Sequence, residues 1–276
     1  MLENKRILIT GVGSIGSELY RQLVVGNTLM SMDIDETSLF DLHEEHRLKG
    51  FDVHYRLGDV RDKDVVKDVF ASFKPEIVFH AAALKHVTPN EAYPREALRT
   101  NAEGTLNVVG AAKANGVEKL IYISTDKVIN SCSIMGVTKK FGELVAKNAG
   151  YTAVRFGNVL GSRGSVLPIW QKQISEDEPL TITDNRMERF FMTIEEACEL
   201  VIRACEISSG GEIMIMDMGQ RKNMLELAKE ILLKLGKPNH PIRMIGLRPG
   251  ETLVEEFMTP EERQRALKLE KFYIIR

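Results

Sequence analysis

Cysteine is scarce in this chain. Cys132, Cys198 and Cys205 are odd in number and form no CxxC pair, so neither a disulfide framework nor a zinc site is expected. A reducing, cytoplasmic setting fits that usage. Cys132 is read as a small apolar filler. Long apolar runs are also missing: no stretch reaches the roughly 18 residues that a membrane-crossing helix needs. The opening MLENKRILITG has neither the apolar core nor the small-residue cleavage site of a signal peptide. Charge of one sign is not in excess. The net charge is −2 without a basic run, which removes the footprint of a nucleic-acid binder. There is no internal repeat, low-complexity segment or free linker. Methionine is frequent, at 12, but its spacing fits core filling rather than metal or haem ligation, and no metal is expected.

What is present points to an α/β protein. The 276 residues, 43% hydrophobic and 28% charged, suffice for one large unit or for one unit with a smaller lobe. Apolar strands are expected at 5–10, 28–34, 52–57, 76–80, 120–124 and 151–156, with helical patterns between them. One of those helices should run unbroken over 96–115. This cadence implies a Rossmann-like, doubly wound parallel sheet. Residues 1–155 would form the cofactor domain. Residues 156–276 would be mainly a smaller substrate-binding lobe, with about 211–235 returning to the sheet.

The first strand runs into GVGSIG and then a helix, the context that GxGxxG requires. Gly11 permits a tight turn, Gly13 lets the backbone approach a pyrophosphate, and Gly16 lets helix and strand pack closely. Ser14 and Ile15 open the helix whose N-terminus would meet the phosphates. Asp33 ends the second strand, where an acid bonds the adenosine ribose hydroxyls. Asp35 or Asp33 can equally cap the following helix. Ile34, Asp35 and Glu36 offer no cation to a 2′-phosphate, so NAD is expected over NADP. Asp59 and Val60 follow the third strand, and Asp59 suits an adenine amine or an ordinary turn. Ala81, Ala82 and Ala83 leave room for a flat cofactor. Lys85 is a candidate cation for a diphosphate, whereas His86 is given no catalytic role.

The chain is organised around Tyr122–Lys139, YISTDKVINSCSIMGVTK. Its strand ends in a hydroxyl, an acid and an amine, Thr125, Asp126 and Lys127, at the edge where open α/β sheets bind ligands. In isolation, Asp126 and Lys127 also read as a surface ion pair capping a loop. Beyond the sixth strand, a glycine-rich loop carries Asn158, Arg163, Ser165 and Val166. A later loop holds Arg248 and Glu251, placed to clamp phosphate or ribose.

GVGSIG, GDVRD, HAAALKHV, NAEGT, STDK, MGVTKK, RFGNVLGSRGSVLP, ERFFMTI and RPGE occur in this order over nearly the whole chain. Together they resemble the extended short-chain dehydrogenase/reductases. More closely, they resemble the nucleotide-sugar 4,6-dehydratases of capsule, flagellin and protein glycosylation, which act on UDP-N-acetylglucosamine. Three features depart from that pattern. The glycine loop is one residue shorter than usual. Met135 stands where short members have tyrosine, as in the long, membrane-anchored members. The C-terminal lobe is trimmed.

The resemblance implies a redox-neutral reaction with NAD: oxidation at C4, loss of the 6-hydroxyl as water, and reduction at C6. It assigns Thr125 to the sugar O4, Asp126 to protonation of the departing hydroxyl, and Lys127 to removal of the C5 proton. Lys127 would need a depressed pKa, expected from burial and from Lys139 nearby. Met135 closes the usual tyrosinate route, so Asp126 would also accept the O4 proton. Lys139 would hold the nicotinamide ribose, and Asn101 would lie on the cofactor side. Asn158, Arg163, Arg189 and Arg248 are candidates for UDP. A UDP-sugar substrate and a homo-oligomer are expected. A UDP-sugar 4-epimerase and a non-catalytic NAD-binding protein remain as alternatives, and the outcome at C5 stays open.

Overall fold

The computed structural model describes residues 2–276. Seven parallel strands form the centre of one sheet: β1 (Arg6–Thr10), β2 (Thr28–Asp33), β3 (His54–Leu57), β4 (Ile77–His80), β5 (Lys119–Ile123), β6 (Thr152–Arg155) and β7 (Glu212–Met216). A hairpin of β8 (Leu267–Leu269) and β9 (Phe272–Ile275) joins its edge antiparallel. The order across the sheet is β8-β9-β7-β6-β5-β4-β1-β2-β3. The winding reverses between β1 and β4, and a crevice opens at that point beyond the strands' carboxyl ends.

The inner strands β1, β4, β5, β6 and β7 are mostly apolar because both sheet faces are covered there, whereas the edge strand β3 is largely exposed. Ile7, Ile9, Phe79, Ile121 and Val154 point to one layer, with Leu19 and Tyr20 of helix Ser14–Leu23 and Val201 of helix Ile194–Ile207. Leu8, Val78, Leu120 and Tyr122 point to the other, with Phe70, Val108 and Ala146. Side-chain caps set where the helices begin. Asp35 accepts from the N–H groups of Thr37 and Ser38, and Asp62 from those of Asp64 and Val65. Thr193 and Glu196 form a capping box ahead of Ile194–Ile207.

The helix expected to be continuous over 96–115 is broken. Pro94–Ala97 passes into a π-turn, Leu98–Glu103, and then into Gly104–Ala114. The extra residue of a π-turn shifts a helical face without any periodicity cue. Within 211–235, Glu212–Met216 pairs with β6, but helix Met224–Lys234 packs around Trp170 with Leu180, Ile182 and Met187 instead. The C-terminal residues return to the sheet, which the sequence reading had left in the lobe. Cys198 and Cys205 are buried, whereas Cys132 is exposed. It lies on a loop with no core to fill, which corrects its reading as apolar filler. Among the described residues, no helix is long and apolar enough to cross a membrane.

Candidate active site

A cleft of about 1420 Å³ runs along the carboxyl ends of the strands and is lined by both halves of the chain. Its volume exceeds the range of roughly 300–1,000 Å³ typical of a single small-molecule site, leaving space for a cofactor and a second ligand.

The glycine loop forms one wall. Gly11 has φ +86°, and a Cβ there would overlap the backbone of Ala82. A Cβ on Gly16 would overlap the carbonyl of Gly11. A Cβ on Gly13, by contrast, would meet nothing within 4 Å. The protein's own packing therefore does not require glycine there, while close approach by a ligand backbone would. No side chain caps helix Ser14–Leu23 at Gly13, so the N–H groups of its first turn stay available to an anion. Asp33 Oδ2 accepts from Val12 N at 2.6 Å and Oδ1 from Asp35 N at 2.8 Å, so this acid also shapes the loop. Asp59 is committed to Arg61 at 2.6 Å, and Arg61 continues to Glu96 at 2.6 Å. Burial opposes the Asp59 charge, but the Arg61 contacts hold its carboxyl below the usual range. Ser14, Ile15, Val60 and Ala81 to Ala83 line the cleft.

Three of the candidate residues are engaged by the protein itself, and two of them, Arg163 and Arg189, line the cleft. Asn101 is buried and does not line the cleft. It sits in the π-turn, where Oδ1 accepts from Leu84 N at 2.8 Å while Nδ2 donates to Leu84 O at 3.0 Å and Thr138 Oγ1 at 3.1 Å. It pins the loop after β4 to the helix carrying Met135 and Lys139. Arg163 extends over the cofactor half: its N–H donates to Ser14 Oγ at 2.9 Å and Nη1 to Ser38 Oγ at 2.7 Å, 3.8 Å from Asp35. A cation thus does reach the region after β2, from 125 residues away, where adjacent sequence offered none. Arg189 is buried and donates to the carbonyls of Glu188, Thr252 and Leu253, with Nε 3.2 Å from Glu255 Oε1. Four of its five N–H donors thus meet protein acceptors.

Other candidates face the open space. Arg248 and Glu251 pair with each other at 3.2 Å and line the cleft, as does Val166 at the start of helix Val166–Ser175. The Ser165 hydroxyl is buried with no partner among the described residues. Lys85 Nζ lies 3.4 Å from Ser162 Oγ. Burial, and then Arg163, hold the Lys85 ammonium below its ordinary pKa.

A cluster of contacting polar side chains lies in the cleft where β5 ends. Thr125 Oγ1 donates to Asp126 Oδ1 at 2.9 Å. Lys127 Nζ donates to Asp126 Oδ1 at 3.0 Å, Asn158 Oδ1 at 3.1 Å and Glu255 Oε2 at 3.0 Å. Asp126 is buried, and its carboxyl lies within reach of the Glu255 carboxyl, a contact that needs a shared proton. Burial opposes its ionisation, but Lys127 holds the carboxyl below the usual range. Burial also opposes the Lys127 charge, yet Asp126 and Glu255 hold its ammonium above the ordinary value. The expected depression of Lys127 is therefore not found. Beside this cluster it is Lys139 that is pushed down, to about 7, by burial. Its Nζ donates to the Ile123 carbonyl and lies 4.2 Å from the centroid of the Tyr122 ring. Met135 is buried, faces the cleft and offers no exchangeable proton. Glu255 escaped sequence reading. Its one cue was an acidic run after RPGE, and acidic runs usually mark solvated surface.

The family model for "Polysaccharide biosynthesis protein" matches residues 7–276. The capsular polysaccharide biosynthesis protein CapD of Staphylococcus aureus is 40% identical over 99% of this chain, which spans 48% of that longer protein. A UDP-N-acetylglucosamine 4,6-dehydratase (inverting) of Campylobacter jejuni is 36% identical over all of this chain and 84% of its own length. A UDP-glucose 4-epimerase of Rickettsia bellii is 33% identical with the same coverage. The crystal structure of Pen from Bacillus thuringiensis, 37% identical, superposes with a TM-score of 0.92 over 99% of this chain and 88% of its own.

Proposed function

The chain belongs to the polysaccharide biosynthesis protein family of extended short-chain dehydrogenase/reductases, and from that premise we propose that it is an NAD-dependent UDP-N-acetylglucosamine 4,6-dehydratase. One observation carries the reading. The cleft presents a hydroxyl, an acid and an amine in contact, Thr125, Asp126 and Lys127, opposite a methionine that cannot move a proton.

The residues at the glycine loop fit a dinucleotide. Gly13 leaves room for the pyrophosphate, the turn at Ser14 and Ile15 offers its N–H groups, and Asp33 faces the ribose end. NAD, when bound, supplies the oxidation at C4 and the later reduction at C6. Lys139 orients the nicotinamide ribose.

Thr125 bonds the sugar O4 and passes its proton to Asp126, to which it already donates. Asp126 then delivers that proton to the departing 6-hydroxyl, so water leaves and the carboxylate is restored. Lys127 removes the C5 proton, acidified by the neighbouring ketone, and returns a proton to C5 afterwards. Ser165, Arg248 and Asn158 are assigned to the sugar nucleotide. Arg189 and Asn101 act by fixing the walls.

Incubation with NAD and UDP-N-acetylglucosamine should give a product lighter by one water, with solvent deuterium at C5. Lys127→Ala should abolish that exchange; undiminished product with normal deuterium would eliminate Lys127 as the base. The epimerase reading is favoured by the Rickettsia relative. It predicts a product of unchanged mass that keeps its 6-hydroxyl by NMR.

A further inference from the structure

The base assigned to C5 has no free lone pair as it stands. An ammonium carries three N–H donors, and all three of Lys127 are engaged, by Asp126, Asn158 and Glu255. We propose that Glu255 receives the ammonium proton of Lys127 when the sugar nucleotide enters, leaving Lys127 a neutral amine that can take the C5 proton. This inference rests on the dehydratase reading.

The geometry selects among the three acceptors. The Asn158 amide oxygen is not basic enough to keep a proton. Asp126 is joined to Thr125, and a proton taken from Lys127 would leave it unable to accept the one from O4. Glu255 touches no hydroxyl; besides Lys127 its partners are Arg189 and the Asp126 carboxyl, which lies within hydrogen-bond reach. Its Oε2 meets Lys127 at 3.0 Å and its Oε1 meets Arg189 Nε at 3.2 Å. The charged groups facing it are Lys127 and Asp126 from the turn after β5, and Arg189 from strand Glu188–Arg189. Burial, helped by the Asp126 charge, pushes the Glu255 carboxyl up to about 7 against the pull of Lys127 and Arg189. Val254, bridged to Glu188, fixes the segment in place.

The step balances. The Nζ–H bond breaks, an Oε2–H bond forms, no electrons change owner, and an ion pair becomes a neutral pair. The change takes one charge from beside Asp126 and one from beside Arg189; passage of the O4 proton to Asp126, and the three carbonyls that accept from Arg189, offset that loss. The proton returns to Lys127 once C5 has been reprotonated. Glu255 thus acts through Lys127, as a positioning residue with a proton of its own.

The test compares pH profiles of kcat for the wild type, Glu255→Gln and Glu255→Asp, with deuterium exchange at C5 as a second rate. The wild-type rate should rise through an apparent pKa near the 7 of Glu255. Glutamine cannot accept the proton, so in Glu255→Gln the rising limb should move to higher pH. The rate at neutral pH should fall about 100-fold, with KM changed less than about threefold. Glu255→Asp should recover part of the rate. A limb that stays in place or moves to lower pH, as loss of a mere anionic partner would cause, overturns the proposal.

A second readout does not need turnover. In protein carrying ¹³C-labelled glutamate carboxyls, one resonance absent from Glu255→Asp should titrate near 7. A Glu255 carboxyl that stays ionised down to roughly pH 5 overturns the proposal whether or not sugar reacts. If that titration is present but UDP-N-acetylglucosamine is not dehydrated, the dehydratase reading alone fails. Cooperative urea unfolding of each variant checks that it is folded.

Discussion

Arg155 and Glu143 meet at 2.6 Å with neither side chain exposed. Arg155 lies on β6 and Glu143 on helix Ile134–Asn148, four residues beyond Lys139. The same guanidinium reaches Glu262 of the short helix Pro260–Arg265 at 2.9 Å. One buried cation therefore ties the cofactor half, the helix of Lys139 and the C-terminal segment together. Arg155→Met would leave two buried carboxylates with Lys140 as their one remaining cation. We predict a loss of about 3–5 kcal/mol, the cost of breaking a buried pair from one side. Urea unfolding measures it.

The three glycines of the loop should separate in their consequences. Gly11→Ala and Gly16→Ala force Cβ atoms into backbone and should lower the melting temperature. Gly13→Ala meets open space, so its melting temperature should stay close to that of the wild type while NAD binding is lost. Calorimetric titration beside thermal unfolding decides this.

Lys139 should be half-deprotonated near 7. Its pKa is lowered in the folded state, so above about 7 the unfolded chain binds the extra proton. Stability should therefore rise with pH from 7 towards 9, and Lys139→Met should flatten that rise. A ¹³Cε-lysine resonance missing from the variant, titrating near 7, would identify the group directly.

His80 works in the opposite range. It is buried between Thr10 Oγ1 at 2.7 Å and Thr105 Oγ1 at 3.0 Å, and burial pushes its pKa down to about 3. The unfolded chain takes up a proton near the ordinary 6.5, so the stability held by neutral His80 is lost as pH falls from 6.5 towards 3. Stability curves at pH 4.5 and pH 7 should converge in His80→Gln relative to the wild type.

Arg163 spans the cofactor cleft by contacts to Ser14 and Ser38. Its guanidinium is exposed, so the contact is worth little by itself. Arg163→Ala should weaken NAD binding by roughly 2–10-fold, the worth of one hydrogen bond, without changing kcat at saturating NAD. A larger effect on NADP than on NAD would show that this cation serves a 2′-phosphate.

The centre of the sheet is readable in sequence because burial on both faces makes its inner strands short apolar runs. The glycine loop is readable because its turn tolerates few other residues, and Thr125–Lys127 because they are adjacent at a strand's carboxyl end. What escaped reading depends on distance or on small shifts. Glu255 joins Lys127 across 128 residues, and nothing near it in sequence marks its burial. The depression of Lys127 expected from burial and from Lys139 fails because two carboxylates surround its ammonium. The π-turn around Asn101 leaves the helical pattern unchanged. Strand Leu267–Leu269 is wholly exposed, so no burial pattern announces it.

The hairpin of β8 and β9 gives the molecule an order in time. β9 pairs with β7 only after the whole lobe has been traversed, and Arg155 reaches Glu262 across 107 residues. Contacts so far apart must be gathered against chain entropy before they repay it, which slows folding. A chain emerging from synthesis can assemble the glycine loop early, but Lys127 gains its second carboxylate only near the end. The glycine loop thus closes on residues no further along the chain than Ala82, whereas the centre at Lys127 is incomplete without Glu255.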